Sequence, residues 1–347
     1  MHPLAARRIL RLALGTALSL WFSQAVNWQL SYMAPVLTLL ILALPLPAPN
    51  LKQGVGFVIA LLLPITAAMV FLPFLWHARW AGILLIALAL YLSFYYTARG
   101  GSAILGTLMT MGLTLTVTVG SVNASIMVYL IQAMAKSAVF GIAFVWIAHA
   151  LLPDPPPDPA APAGRRPPAA KPDLSEARRN AFRSLAIVLP VALIFLFISG
   201  STSYTVVMIK VASMGQQATA DHSRQMGRSL LESTLWGALG ALIGWTLMNA
   251  WPSLLFYTLL VALAGLLFGR GIFQGPTMHP KFSMWSYAFL TMLVILAPAL
   301  LDGPGSDGAG AAIWSRVFLF TLIAVYGTTA VAVFDAFFPG KASKKQS

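Results

Sequence analysis

The chain alternates long apolar runs with short polar breaks. Forty uncharged residues precede Lys52, 36 precede Lys136 and 37 precede Arg270. A transmembrane helix needs about 20 mostly apolar residues, so each gap has room for two helices and a turn. Boundaries set at charge, Gly, Pro or polar clusters predict six spans in the first half, at about 9–26, 31–48, 54–75, 80–97, 102–120 and 124–151. They predict six more at about 183–200, 203–218, 228–249, 252–269, 283–300 and 312–336. Pro35, Pro45 and Pro47 interrupt the second span, and Lys210 falls inside the eighth. Between the two sets, residues 153–179 are rich in Pro and Ala, lack apolar periodicity and predict a solvated, extended linker. The domain plan is therefore a membrane unit over 1–152, the linker, a second membrane unit over 180–338, and a basic tail, 339–347.

Composition narrows the class. The chain is 59% hydrophobic and 9% charged, where a soluble domain is roughly 45–50% apolar and about 25% charged. No ordinary soluble fold hides that much apolar surface, which excludes a single soluble enzyme, a disordered chain and a collagen-like fibre. The expected fold is an all-α integral membrane protein. A formal charge of +13 would suggest nucleic acid in a soluble domain; here the bias of basic residues toward cytoplasmic loops accounts for it, and no nucleic-acid partner is expected. With no Cys, disulfides and thiolate metal sites are excluded. The start, MHPLAARRILRLALGTALSLW, has the basic and apolar regions of a signal peptide, but an uncleaved first span is expected.

The charges also give an orientation. With the N-terminus cytoplasmic and twelve alternating spans, all of the 22 basic residues except Arg79, Arg316, Lys136 and Lys210 fall in cytoplasmic segments. Both termini and the linker are then cytoplasmic. The halves also resemble each other. Arg7-Arg8…Arg11 opens one and Arg178-Arg179…Arg183 the other; Ser31-Tyr32 and Ser203-Tyr204 each lie 20 residues after the last of these arginines. Lys52-Gln53-Gly54 and Arg224-Gln225-Met226-Gly227 precede the third spans, and His149…Pro153 and Asp335…Pro339 close the halves. This order suggests two six-helix repeats running in the same direction, an arrangement in which transporters place the substrate site between repeats.

The segments RRILRLALGTALSLW…WQLSYMAPVLTLL and RQMGRSLLESTLWGALGALIGWTL, with a cytoplasmic Arg-x-x-Gly-Arg before a small-residue helix, resemble the fusaric acid resistance and aromatic acid exporter superfamily. Within it the chain is similar to a compact bacterial branch grouped as a domain of unknown function. Larger members carry a soluble cytoplasmic domain where this chain has its short proline linker. The resemblance implies a bacterial inner-membrane exporter of small organic acids, driven by the proton gradient and working with a periplasmic membrane fusion protein.

Ionisable groups inside a membrane usually face a cavity or a partner. Lys136 and Lys210 are candidates for binding a substrate carboxylate; the other reading is snorkelling along a flexible stem. Arg224, Arg228 and Glu232 share one helix face by their four-residue spacing. Arg228, Glu232 and Asp335 are candidates for proton coupling or gating, against ordinary ion pairing and capping at helix ends. Gly237, Gly240 and Gly244 favour close helix packing, and Trp28, Trp76, Trp80, Trp251, Trp285 and Trp314 an interfacial belt. Asp221 and His222 read as loop residues, and Asp302–Gly308 as a flexible turn rather than a calcium loop. There is no GxxxxGK[ST] and no HExxH, and the five His have no metal-ligand spacing. No metal, cofactor or enzymatic activity is expected.

The resulting expectation is a secondary efflux permease for small organic anions. The alternative is a non-transporting scaffold subunit of an envelope complex. Either is compatible with a homo-oligomer. A permease needs a polar route between the halves; a scaffold would leave the lysines facing headgroups.

Overall fold

The computed structural model describes residues 3–28, 30–120, 124–153, 173–197, 204–220, 223–275, 278–301 and 309–338. Most of the linker, Asp221 and His222, the Asp302–Gly308 turn and the basic tail lie outside them. The described residues form helices and no strand. In the first half these are α1 (Pro3–Val26), α2 (Met33–Leu42), α3 (Leu51–Met69), α4 (Leu72–His77), α5 (Arg79–Ala98), α6 (Ala103–Gly120) and α7 (Ala124–Leu151). In the second half they are α8 (Leu174–Phe197), α9 (Tyr204–Ala220), α10 (Ser223–Ala250), α11 (Leu254–Ile272), α12 (Phe282–Leu301) and α13 (Ala309–Phe337).

Eight segments are long and apolar enough to cross a membrane, with α3 and α4 counted as one. Their outer faces carry unbroken apolar rows: Leu84, Leu88 and Leu92 on α5, Leu235, Leu239, Ile243 and Leu247 on α10, and Leu255, Leu259, Leu263 and Leu267 on α11 are all exposed. Spacing of four keeps each row on one face. Rows of this length are not tolerated in water and match a hydrocarbon solvent. Trp76, Trp80, Trp251 and Trp314 are exposed near helix ends, where aromatic belts lie. Trp285 instead packs among Trp236 and Phe268. This is an all-α, multi-pass membrane protein.

Helix boundaries follow local chemistry. The expected second span is shortened to α2, because the chain leaves the helix before Pro45 and Pro47 and continues without helix to Asn50. Asn50 starts α3 with a capping box: its side chain accepts from Gln53 N at 2.8 Å, and Gln53 Oε1 accepts from Asn50 N at 2.9 Å. The expected third span breaks at Val70–Phe71 into α3 and α4, with Pro at the start of α4. Helix α8 begins within the expected linker, at Leu174, where Asp173 accepts from Ser175 N and Oγ.

Helix ends sort to two faces. Arg11 donates to Leu152 O through Nε at 3.2 Å and Nη2 at 2.6 Å, and Arg7 to Pro153 O. Arg179 donates to Phe338 O at 2.8 Å. In both halves, arginines of the first helix thus satisfy carbonyls left open at the end of the last one. Across the halves α1 packs on α11 and α8 on α5, while within them α3 packs on α6 and α10 on α12. Close approach is enforced by glycine. A Cβ at Gly237 would sit 2.6 Å from Ala288 O and 2.6 Å from Thr291 Cβ, and one at Gly265 would sit 2.7 Å from Ala13 Cα. The most enclosed candidate span is α12, with 72% of its apolar window buried.

Candidate functional site: a cavity between the two halves

At the arginine-rich face the ends of six helices leave a cavity of about 360 Å³. Leu39 and Leu40 of α2 with Ala43 just after it, Thr97 of α5, and Ala103, Ile104 and Thr107 of α6 line one side. Gln216 of α9, Arg228, Ser229 and Glu232 of α10, and Pro280 to Met284, Ser286 and Tyr287 at the start of α12 line the other. One wall therefore comes from each half of the chain. The size lies in the range of small-molecule pockets.

Three charges stand at the mouth. Glu232 accepts from Arg228 Nε at 2.5 Å and from Lys281 Nζ at 3.0 Å. The first pair is the four-residue spacing read from the sequence; the second joins α10 to the residue before α12. Two cations share one carboxylate, so one positive charge remains. All three are partly or well exposed, and such pairs contribute little to stability. Their effect is on charge at the entrance.

Polar groups line the inner end. Gln216 is buried and its Nε2 donates to Thr110 Oγ1 at 2.6 Å. Thr110 in turn donates to Gly106 O at 2.9 Å and lies 2.9 Å from Ser93 Oγ. Deeper still, Lys210 is 3% exposed and donates from Nζ to Thr291 Oγ1 at 3.0 Å. Thr291 lies one turn beyond the cavity residue Tyr287 on α12, and Lys210 about 9 Å beyond Gln216 along α9. The buried amine stands below the cavity, at the middle of α12, with no carboxylate within salt-bridge distance among the described residues.

The expected site residues are only partly brought together. Arg228 and Glu232 are at the mouth, and Lys210 is beneath the inner end. Lys136 is exposed on α7 and takes no part in the cavity. Its neighbour Ser137 accepts from Trp28, just past the end of α1, at 3.3 Å. Lys136 is therefore level with the far end of α1, while lying inside the apolar span Met127–Leu151 of its own helix. Asp335 is also remote from the cavity: it is held by Arg179 and, at 3.0 Å, by Arg183. It acts as a clamp between α8 and α13. Of Arg224, only its place in α10 is described.

Lys281, Gln216, Thr110 and Thr291 were not singled out in the sequence. Signals for some of them were present. The MGQQ stretch puts two amides in an apolar helix, and Thr107, Thr110 and Thr114 recur at helical spacing in α6. On the opposite face, a smaller recess of about 200 Å³ is lined by Gln24 and Tyr257 among others.

The family described as "Protein of unknown function (DUF2955)" matches residues 8–148. No curated protein and no solved structure matches the chain. The stretch from the arginine-rich start of α1 to the end of α7 is thus similar to that family.

Proposed function

We propose that the protein is a secondary efflux permease of the bacterial inner membrane, with both termini cytoplasmic, exporting small aromatic carboxylic acids in concert with a periplasmic membrane fusion protein. On this reading α1–α7 and α8–α13 are two parallel six-helix repeats with twelve crossings. Paired packing of α1 on α11 and α8 on α5, and the matching arginine clamps, support the duplication. The residual resemblance to the fusaric acid resistance superfamily points the same way.

The observation that carries the reading is the cavity itself. It lies between the halves, opens at the arginine-rich face, keeps one net positive charge at its mouth and has a largely apolar wall. An anion with a ring fits that pattern: charge at the entrance attracts it, and the wall takes the ring. Lys210 lies ahead of it as a second cation. Lys136 on the outer face is what favours the alternative, a scaffold without transport.

Flux separates the two. Protein reconstituted in proteoliposomes should release preloaded benzoate faster than protein-free vesicles. Ser229→Trp, which fills the mouth, should abolish the difference at equal protein incorporation. Release no faster than from protein-free vesicles would overturn the permease.

A further inference from the structure

The mouth of the cavity already holds a carboxylate, and that carboxylate belongs to the protein. Among the described lining residues Glu232 is the only acidic one, and Arg228 and Lys281 are the only cations. Glu232 Oε1 accepts from Arg228 Nε at 2.5 Å, and Oε2 accepts from Lys281 Nζ at 3.0 Å. Each oxygen takes one cation, the same pattern that the two oxygens of an incoming carboxylate would adopt with these groups. A substrate anion and Glu232 therefore need the same partners.

Exposure decides that the exchange is feasible. The side chains of Arg228, Lys281 and Glu232 are 78%, 50% and 25% exposed, and ion pairs in contact with water are held weakly. A solute reaches both cations from the mouth, and the displaced carboxylate turns to water there. The two cations also differ in attachment. Arg228 lies one turn before Glu232 on the same helix, whereas Lys281 reaches it from the residue before α12. The Lys281 backbone is anchored: its N–H donates to His279 Nδ1 at 3.0 Å, and His279 N donates to Ile272 O at 3.0 Å. Its four-carbon stem leaves the amine free to turn from one carboxylate to another. The Glu232–Lys281 pair is thus both the occupant of the anion position and the ionic link across the mouth between α10 and the start of α12.

We propose that Glu232 is an internal competitor for the substrate carboxylate. It occupies Arg228 and Lys281, and an organic anion enters the cavity by displacing it, which opens the link between α10 and α12. This rests on the permease reading for the identity of the cavity as a substrate site, but it concerns binding and is tested without transport.

The test is equilibrium binding of benzoate and benzyl alcohol to the purified full-length protein in detergent. The two ligands share a ring, and only benzoate carries a charge. Glu232→Gln keeps the shape of the side chain and removes the competing charge. It should bind benzoate about fivefold more tightly than wild type, the ratio expected from releasing an exposed ion pair. Its affinity for benzyl alcohol should stay within about twofold, which also shows that the variant is folded. Glu232→Asp keeps the charge but is one carbon too short to bridge both cations, and should tighten benzoate binding about twofold. Adding Lys281→Met to Glu232→Gln should reverse the gain. Benzoate affinity unchanged or lowered by Glu232→Gln, an equal gain for benzyl alcohol, a gain in Glu232→Gln with none in Glu232→Asp, a gain that survives Lys281→Met, or no benzoate binding in any of these proteins would overturn the proposal. The predicted gains without vesicle flux would retain the internal competitor and remove the permease; wild-type flux without the gains would do the reverse.

Discussion

Helices α2 and α9 occupy equivalent places in the two halves of the chain. Each follows a Ser-Tyr pair 20 residues after an arginine, and each is enclosed by other helices. All residues of α2 except Leu40 are buried, as is every residue of α9 from Val207 to Gln216. Counting from the Ser-Tyr pairs, Thr38 of α2 corresponds to Lys210 of α9. Their surroundings differ. The Thr38 hydroxyl lies 3.1 Å from Ser19 Oγ, 2.9 Å from Ala34 O and 3.2 Å from Gly141 O. Among the described residues the Lys210 amine has one bond, to Thr291 Oγ1. A small hydroxyl surrounded by acceptors is a packing element. A buried ammonium with one neutral partner is an expensive group, and expensive groups in membranes mark function. At this position the second half carries a buried ionisable group and the first half a packed hydroxyl.

Forcing the first half to resemble the second should have the largest effect. Thr38→Lys places a long cation where α1, α2 and α7 meet, without space or counter-charge. A loss of about 3–5 kcal/mol is expected, read as loss of monodisperse protein after extraction. The converse change, Lys210→Met, removes the buried charge while keeping much of the volume. Its midpoint of thermal aggregation should be unchanged or higher, and benzoate flux should fall at least tenfold. A variant that transports normally would show Lys210 to be incidental; one that aggregates early would show it to be structural.

The arginine clamps give a second comparison of intermediate size. Arg183 holds a carboxylate, Asp335, which is only 16% exposed; Arg11 holds a backbone carbonyl. Removing Arg183 leaves a mostly buried anion with Arg179 alone, so Arg183→Ala should cost about 2–3 kcal/mol and Arg11→Ala about 1–2 kcal/mol. Thermal midpoints of the two variants, measured in the same detergent, test the order.

What the sequence revealed follows from how local each signal is. Apolar runs fix helices because hydrocarbon leaves the backbone no other partner, and the apolar run at 124–151 coincides with α7 for that reason. Hydropathy alone extends the second span through Pro45 and Pro47, while the missing backbone donors end α2 at Leu42. The glycines of α10 were legible as packing residues, since a small-residue row has one common use. The cavity was not legible. It depends on which helix ends meet, and Gln216, Thr110 and Lys281 are 106 and 65 residues apart in the chain, respectively measured from Gln216. Sequence also could not separate the two lysines: both stand in apolar helices, and only the packing of neighbouring helices decides which is enclosed.

The smallest effect is expected at Lys136, which makes it the sharpest control. Its helix is a candidate span, and by sequence it is as deeply placed as Lys210. In the fold, Trp28 just past the end of α1 bonds to the adjacent Ser137, and the lysine is exposed on the outer surface of α7. From there its flexible stem can carry the ammonium to the headgroups. Lys136→Gln should shift the thermal midpoint by an amount equivalent to no more than about 0.5 kcal/mol and leave benzoate flux within about twofold of wild type. Assayed beside Lys210→Met, it asks whether enclosure or mere presence in an apolar helix makes a lysine functional. Loss of flux in both variants would mean that depth in the sequence, not burial in the fold, was the relevant property, and the contrast between the two halves would fail.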